Sequence, residues 1–407
     1  APIRSTYLVQ EADLVACHQF GLLDRFDVLE NARHGGTFLL NAPFPADEVW
    51  DHLPDIIQRE IIERELSVFT IDAARVATEV GMSGRINTVM QPCFFALSDV
   101  MPRDEALAAM KESITKTYGR CGRLIVEKNH AAIDRALDEL VEVEVPAVEA
   151  PAAAPLDAAA AAADASFIER VTLQMMAGKG DLLPVSALPV DGAFPTATTQ
   201  WEKRSLATEI PLWDPSICID CARCALVCPH AAIRLKVYEP AFLESAPESF
   251  AQKEASGKEH SGQLLTVQVA PDDCTGSGIC VEICPAVSKE RQSHKAIDMV
   301  PKDPILEAER ANFDFFLDLP DLTPADVNLS SVREVQLLPP LFEFSGACSG
   351  CGETPYVKLV SQMFGDHAVI ANATGCSSIY GGNLPTTPWT VNKDGRGPAW
   401  SNSLFED

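Results

Sequence analysis

The sequence predicts an α/β chain into which a small, cysteine-rich α+β module is set. Three observations predict it. Apolar runs of strand and helix spacing alternate over residues 1–145, two related cysteine runs lie between Cys218 and Cys284, and a helix-then-strand pattern returns after Thr354.

In the first part, Leu14–His18 and Thr37–Asn41 are short apolar runs of strand type, and Asp24–Arg33 between them has helical spacing. Val49, Trp50, Leu53, Ile56, Ile57 and Ile61 recur at three- and four-residue steps before the β-rich Val68–Ile71. Strand, helix, strand, helix, strand argues for a parallel, doubly wound sheet. Further helices are expected over Asp104–Tyr118, with Asp104 as cap and Gly119 as stop, and around Ala131–Val141. Gly35-Gly36-Thr37 and Gly81–Gly84 are its glycine-rich turns. Such glycines either permit positive φ or face a phosphorylated ligand at the carboxyl edge of the sheet. Arg85, Asn87 and Asn129 are the polar side chains near those turns or a helix start, and each alone reads as a cap or a surface residue.

Residues 146–165 are low in complexity and rich in Ala and Pro, as in a linker. Residues 166–211 begin with a helical run. Pro184, Pro189 and Pro195 then break the chain into an extended, turn-rich strap.

The module spans 212–305. It reads CIDCARCALVCP from Cys218 to Pro229 and CTGSGICVEICP from Cys274 to Pro285. Cysteines spaced C-x2-C-x2-C-x3-C with a following Pro hold a cubane iron–sulfur cluster, and in two-cluster ferredoxins the last cysteine of each run crosses to the other cluster. That rule assigns Cys218, Cys221, Cys224 and Cys284 to one [4Fe-4S] site. Cys228, Cys274 and Cys280 form the other, where Ser277 replaces the remaining cysteine. Serine is a harder, rarer ligand, so the second cluster is expected to be serine-ligated, reduced to three irons, or unassembled. Ile217, Ile219, Leu226, Val227, Ile279, Val281 and Ile283 are placed to wrap the clusters. A structural zinc site also uses C-x2-C pairs, but three evenly spaced cysteines before C-P are not a zinc-ribbon pattern.

From 306 to 407 a second α/β part begins. Thr354-Pro355 suits a helix start, Val357, Val360 and Phe364 follow at helical spacing, and Ala368–Ala371 reads as a strand. Cys348 and Cys351 precede that helix, while Cys376 sits in a glycine-rich turn after the strand. Three cysteines are one short of a cubane, which leaves a cluster completed elsewhere or a redox or zinc pair with a bystander.

The chain has 407 residues, enough for roughly two to four domains, and a formal charge of −26. That acidity disfavours a nucleic-acid partner. No apolar run reaches membrane-spanning length and no basic-then-apolar leader opens the sequence, so a cytoplasmic protein without a membrane role is expected. Cys17, Cys93 and Cys121 fall outside the motifs and read as buried, inert thiols.

Taken in order, GMSGRINTVMQPCFFAL, LPVDGAFPTATTQWEKR, CIDCARCALVCPHAAI, CSGCGETPYVKL and NATGCSSIYGGNLPTTPW resemble the pyruvate:ferredoxin (flavodoxin) oxidoreductases over nearly the whole chain. The resemblance implies a coenzyme A-binding-type domain over 1–145, with Asn87 and Asn129 on the coenzyme, and an inserted two-cluster ferredoxin domain. It further implies that 306–407 begins a thiamine diphosphate-binding domain. There Glu353 and Cys376 would touch thiamine diphosphate, held with Mg2+, and Cys348, Cys351 and Cys376 would be three ligands of a third cluster. The implied reaction is oxidative decarboxylation of pyruvate with coenzyme A, electrons leaving to ferredoxin or flavodoxin from a full-length homodimer. On that resemblance further domains belong before Ala1 and an acidic magnesium motif after Asp407. The chain is therefore expected to be an incomplete, inactive fragment with no catalytic residue of its own, the alternatives being a free-standing electron carrier or an inactive remnant.

Overall fold

Three parallel strands organise the first half: β1 (Ala12–Cys17), β2 (Ala32–Asn41) and β3 (Ser67–Ile71), in that order across the sheet. They belong to a computed structural model that describes residues 9–402 apart from 24, 25, 99, 147–165, 292, 374 and 383. The chain divides into two compact units, Ala1–Ala162 and Ala163–Asp407. The Ala/Pro-rich stretch lies, from 147 onward, outside the described residues.

Alternation along β2 separates two cores. Phe38 and Leu40 pack with Val49 of α1 (Val49–His52), with Leu53 just after it, and with Ile57 and Ile61 of α2 (Asp55–Glu63). Leu39 points the other way, to Ala73 and Val76 of α3 (Ala73–Glu79), Met90 of α4 (Asn87–Leu97) and Ala132 of α6 (Arg123–Glu139), and α5 (Arg103–Tyr118) packs on α6. Period-2 side chains thus give the sheet a helical layer on each face. Each fully buried aliphatic side chain contributes roughly 1.5–3 kcal/mol.

Several expectations change. Among the described residues the helix expected over Asp24–Arg33 is absent: residues 28–31 are turns, β2 already begins at Ala32, and Leu23 and Leu29 anchor the connection by burial. Pro54 splits the Val49–Ile61 run, as a missing N–H requires. The helix at 103–118 is preceded by Pro102 as its cap, with Asp104 in its first turn, and it does stop at Gly119. Val141 is not helical; β4 (Val141–Val143) pairs antiparallel with β3, so the sheet carries one antiparallel edge. Gly35-Gly36 lies in the amino-terminal half of β2, where the register against β1 shifts, and not at the carboxyl edge. Gly35 has φ +71°, and a Cβ on Gly36 would meet the Arg33 carbonyl at 2.8 Å, so these glycines make a bulge.

In the second unit Leu173–Met176 forms α7, and the strap that follows folds into short 3-10 turns instead of staying extended. β5 (Glu209–Trp213) leads to α8 (Arg223–Val227), β6 (Ile233–Tyr238), β7 (Lys253–Glu254), β8 (Leu264–Val269), α9 (Ile279–Ile283) and β9 (Ile297–Pro301). β5 pairs with β9, and β6-β8-β7 form a second antiparallel sheet. Leu235, Val237, Leu265 and Val267 of that sheet meet Phe313 and Phe316 of α10 (Leu306–Asp318). Then come α11 (Val332–Val335), α12 (Thr354–Phe364), β10 (Val369–Asn372), α13 (Cys376–Gly381) and β11 (Ala399–Asn402), the last two strands pairing in parallel. Among the described residues no helix is long and apolar enough to cross a membrane.

The strap is stitched down on both sides. Ala197 N–H donates to Trp389 O (2.6 Å), Thr199 N–H to Thr387 O (3.3 Å), and Ser205 N–H to Asp272 O (2.8 Å).

His294 closes the β5–β9 ribbon, its Nε2 2.8 Å from Asp214 and its Nδ1 2.6 Å from Asp298. Donating to both carboxylates requires the imidazolium, and those bonds, Asp214 first, raise its pKa. A raised folded-state pKa gives stability that is complete below the unfolded value near 6.5 and is lost as pH rises through the folded one. Urea midpoints of the wild type are therefore expected to fall between pH 6 and pH 8 by more than those of His294→Gln.

Candidate iron–sulfur centres

The two cysteine runs fold alike. Asp220 and Ala222 in the first, and Gly276 and Gly278 in the second, all take positive φ, between 57° and 69°, and each run then enters a five-residue helix, α8 or α9. Left-handed turns between successive cysteines bring their Cβ atoms to one side, as a cubane needs. Gly276 must be small as well, because a Cβ there would sit 3.3 Å from the Ala207 methyl.

Helices α8 and α9 pack together and leave one cavity on either side. One is lined by Cys218, Cys221, Cys224 and Cys284, closed by Trp213, Leu235 and Ala286. The other is lined by Cys228, Cys274, Cys280 and Ser277, with Pro211, His230 and Met299. Each cavity therefore draws its last cysteine from the opposite run. Among the described residues, no three His, Cys, Asp or Glu side chains close on a single ion, and no cysteine is joined in a disulfide. Burial pushes the Cys274 and Cys280 thiols up to about 12, so thiolates there need a positive partner, and iron supplies one. The residues present fit clusters in both places. The apolar wrap is thinner than expected: Ile219 is 59% and Ile283 39% exposed, because each lies on the rim of its motif.

Lys358 escaped the sequence reading. On α12, 2% exposed, its Nζ donates to the carbonyls of Ala225 and Leu226 (3.2 Å to the latter) at the carboxyl end of α8. A fixed ammonium thus stands between Cys224 and Cys228, one from each cavity. Burial holds its pKa down to about 8, with the two cysteines pulling the other way. Reaching those carbonyls turns the polar side of α12 inward, so Val360 and Phe364 are about half exposed while Lys358, Ser361 and Gln362 are buried.

Near the third cysteine group Phe342, Tyr380 and Trp389 form an aromatic cluster, against which Ala347, next to Cys348, packs, and Tyr380 shares a helix with Cys376. Cys351 N–H donates to Cys348 O (3.0 Å), making a tight turn before α12, and Cys376 is the first residue of α13, not part of the turn. Burial opposes the Cys351 thiolate, but the Thr354 and Glu353 amides outweigh it and hold the pKa below its usual value. Tyr380, 4% exposed, has its pKa raised by burial first, then by the Glu353 carboxylate and by the charges of Cys351 and Cys376. Nothing in the spacing marks Tyr380; it shows only once α13 is built. Ser349 Oγ donates to Thr275 O (3.5 Å), so this loop adjoins the second cavity.

In the first unit, Asn87 is exposed at the start of α4, and Asn129 is buried in α6. They share a neighbourhood through Thr88, whose hydroxyl donates to Asn129 Oδ1 (3.5 Å), while Asn129 Nδ2 donates to Ile125 O (2.7 Å). Lys128, also missed, lays its Nζ on Gly81 O (3.1 Å), within the turn that holds Arg85. Cys17 and Cys93 are buried, Cys93 pushed up to about 12, whereas Cys121 is exposed in the turn after α5, contrary to expectation.

Two cavities that exchange cysteines define an iron–sulfur module, and residues 217–287 match the 4Fe-4S dicluster domain family. Residues 1–139 match the family described as pyruvate ferredoxin/flavodoxin oxidoreductase, and 153–207 match a domain of unknown function. All of this chain aligns with a putative pyruvate-flavodoxin oxidoreductase of Synechocystis at 56% identity and with a pyruvate-flavodoxin oxidoreductase of Trichormus variabilis at 54%. Along its whole length the chain is similar to these pyruvate-flavodoxin oxidoreductases, and it spans 34% of the length of each of these curated relatives. A solved pyruvate oxidoreductase subunit from Thermotoga maritima aligns at 19% identity and TM-score 0.27, over 33% of this chain and 67% of that one, too slight a likeness to define the fold.

Proposed function

We propose that this chain is the electron-relay portion of an enzyme that oxidatively decarboxylates pyruvate with coenzyme A and passes the electrons to ferredoxin or flavodoxin. The observation that carries the reading is the pair of cavities, each closed by the last cysteine of the other run. Cys218, Cys221, Cys224 and Cys284 would hold one cluster, and Cys228, Cys274 and Cys280 the other. Cys348, Cys351 and Cys376 would hold part of a third, whose loop touches the second cavity at Thr275. Bound clusters supply one-electron storage. The protein keeps water away with Trp213 and Met299, and Lys358 offsets the negative charge of two sites at once.

In the first unit, a coenzyme A-binding-type domain, Asn87 would meet the coenzyme, with Arg85 and Lys128 for its phosphates and Asn129 fixing the helix beneath. In the second, Glu353 and Cys376 flank Tyr380 where thiamine diphosphate with Mg2+ would bind, at the start of its domain. The reading includes a cytoplasmic homodimer for the full-length enzyme.

Anaerobically produced protein is expected to take up iron at both module sites and to bind coenzyme A. Replacing Asn87 and Asn129 together by Ala should weaken that binding by roughly tenfold or more, the equivalent of one or two lost hydrogen bonds. Circular dichroism establishes whether the variant remains folded. Electron uptake with no coenzyme A binding would instead favour a free-standing carrier.

A further inference from the structure

We propose that His230, through Nε2, is the fourth ligand of the iron–sulfur cluster in the second cavity. The inference rests on the reading of both cavities as cluster sites. The near-twofold relation between the two runs makes the comparison direct. Cys221 in the first cavity corresponds to Ser277 in the second, and Ala286, two residues after the crossing Cys284, corresponds to His230, two residues after the crossing Cys228. The cavity that lacks a thiolate is therefore the one lined by an imidazole where the complete cavity has a methyl group.

His230 is set up as a ligand. The residue is 3% exposed. Its Nδ1 lies 3.0 Å from the Ser345 carbonyl. A carbonyl only accepts, so Nδ1 carries the hydrogen, and in the neutral ring Nε2 is left with its lone pair. That atom is buried and has no hydrogen-bond partner. Metal-bound histidines characteristically donate their other ring N–H to a carbonyl or carboxylate in this way. Ser277, by contrast, is exposed. Imidazole is an established iron ligand, and when it replaces thiolate in iron–sulfur centres the potential rises, because a neutral donor replaces an anion.

The test uses the full chain, produced anaerobically with 15N-labelled histidine, then reduced and studied by pulsed EPR alongside iron analysis. The expected result is four-iron clusters at both sites, with a directly bonded 15N coupling on one of them. His230→Gln should abolish the coupling and deplete iron from that site alone. Ser277→Cys, a change at an exposed position, should keep the iron, lose the coupling and lower that cluster's potential. Four-iron clusters at both sites without nitrogen coupling would overturn the proposal, as would a three-iron signal from the wild type, or a coupling only of hydrogen-bond strength. A wild type with iron only at the first site would do the same. Failure of both sites to hold iron would instead sink the cluster reading on which the proposal rests.

Discussion

Lys358→Met is expected to lower the potentials of both module clusters and to destabilise the second unit. The ammonium is buried against the carbonyls of Ala225 and Leu226, between a cysteine of one cavity and a cysteine of the other. Adding an electron to a cluster adds negative charge, so a nearby cation favours reduction. Removing a charge of this kind costs on the order of 1–2 kcal/mol at an effective dielectric near 20, roughly 50–100 mV for a one-electron couple. Methionine fills the space but donates nothing. The Leu226 carbonyl then loses its partner, at about 1–3 kcal/mol, while the Ala225 carbonyl keeps the Cys228 N–H at 3.3 Å. Redox titration followed by EPR, with urea unfolding, separates the two effects. Lys358→Arg keeps the charge, so it should hold the potentials while losing stability. Unchanged potentials in Lys358→Met would show that the ammonium is only a structural tie.

Cys221→Ser is expected to remove the first cluster. The change copies into the first cavity the substitution that Ser277 represents in the second, but Ala286 stands where His230 stands across the pseudo-twofold, and a methyl group cannot ligate. Iron per chain should fall by about one cluster's worth, four atoms, and the EPR signal of the untouched cluster should remain. Adding Ala286→His should recover part of the lost iron if an imidazole at that position suffices. Full iron retention in the single variant would show that serine alone completes such a site.

Much of the cysteine module was legible in the sequence, because cluster chemistry imposes fixed spacings and crossing follows from them. The cavities pair the cysteines as those spacings imply, down to the place of Ser277. The first sheet was legible in its parallel strands, since Phe38, Leu39 and Leu40 are apolar on both faces. What escaped depends on groups distant in sequence. The antiparallel β4 looked like the end of a helix because Val141 continues an apolar period. Gly35-Gly36 left positive φ and a ligand loop both open; Gly35 does take positive φ, in a bulge that needs the same residue as a ligand loop. Nothing in the helical spacing singled out Lys358; only the carbonyls of α8, 132 and 133 residues away, make it interior. His230 was hidden for the same reason, its partner Ser345 lying 115 residues on.

The strap's three bonds to Trp389, Thr387 and Asp272 have a consequence for rate. All are main chain to main chain, and they tie the segment beside the third cysteine group to the loop that leads into Cys274. Electron tunnelling falls off exponentially with distance, so a relay works only while its gaps stay constant. In the proposed relay the gap between neighbouring sites would be gauged in part by these peptide groups, which every amino acid but proline can supply, and in part by the Thr198, Thr199 and Lys203 side chains, which bond Thr387, Glu343 and Asp273. The side chains at those three positions are therefore the ones along the strap that the spacing would constrain.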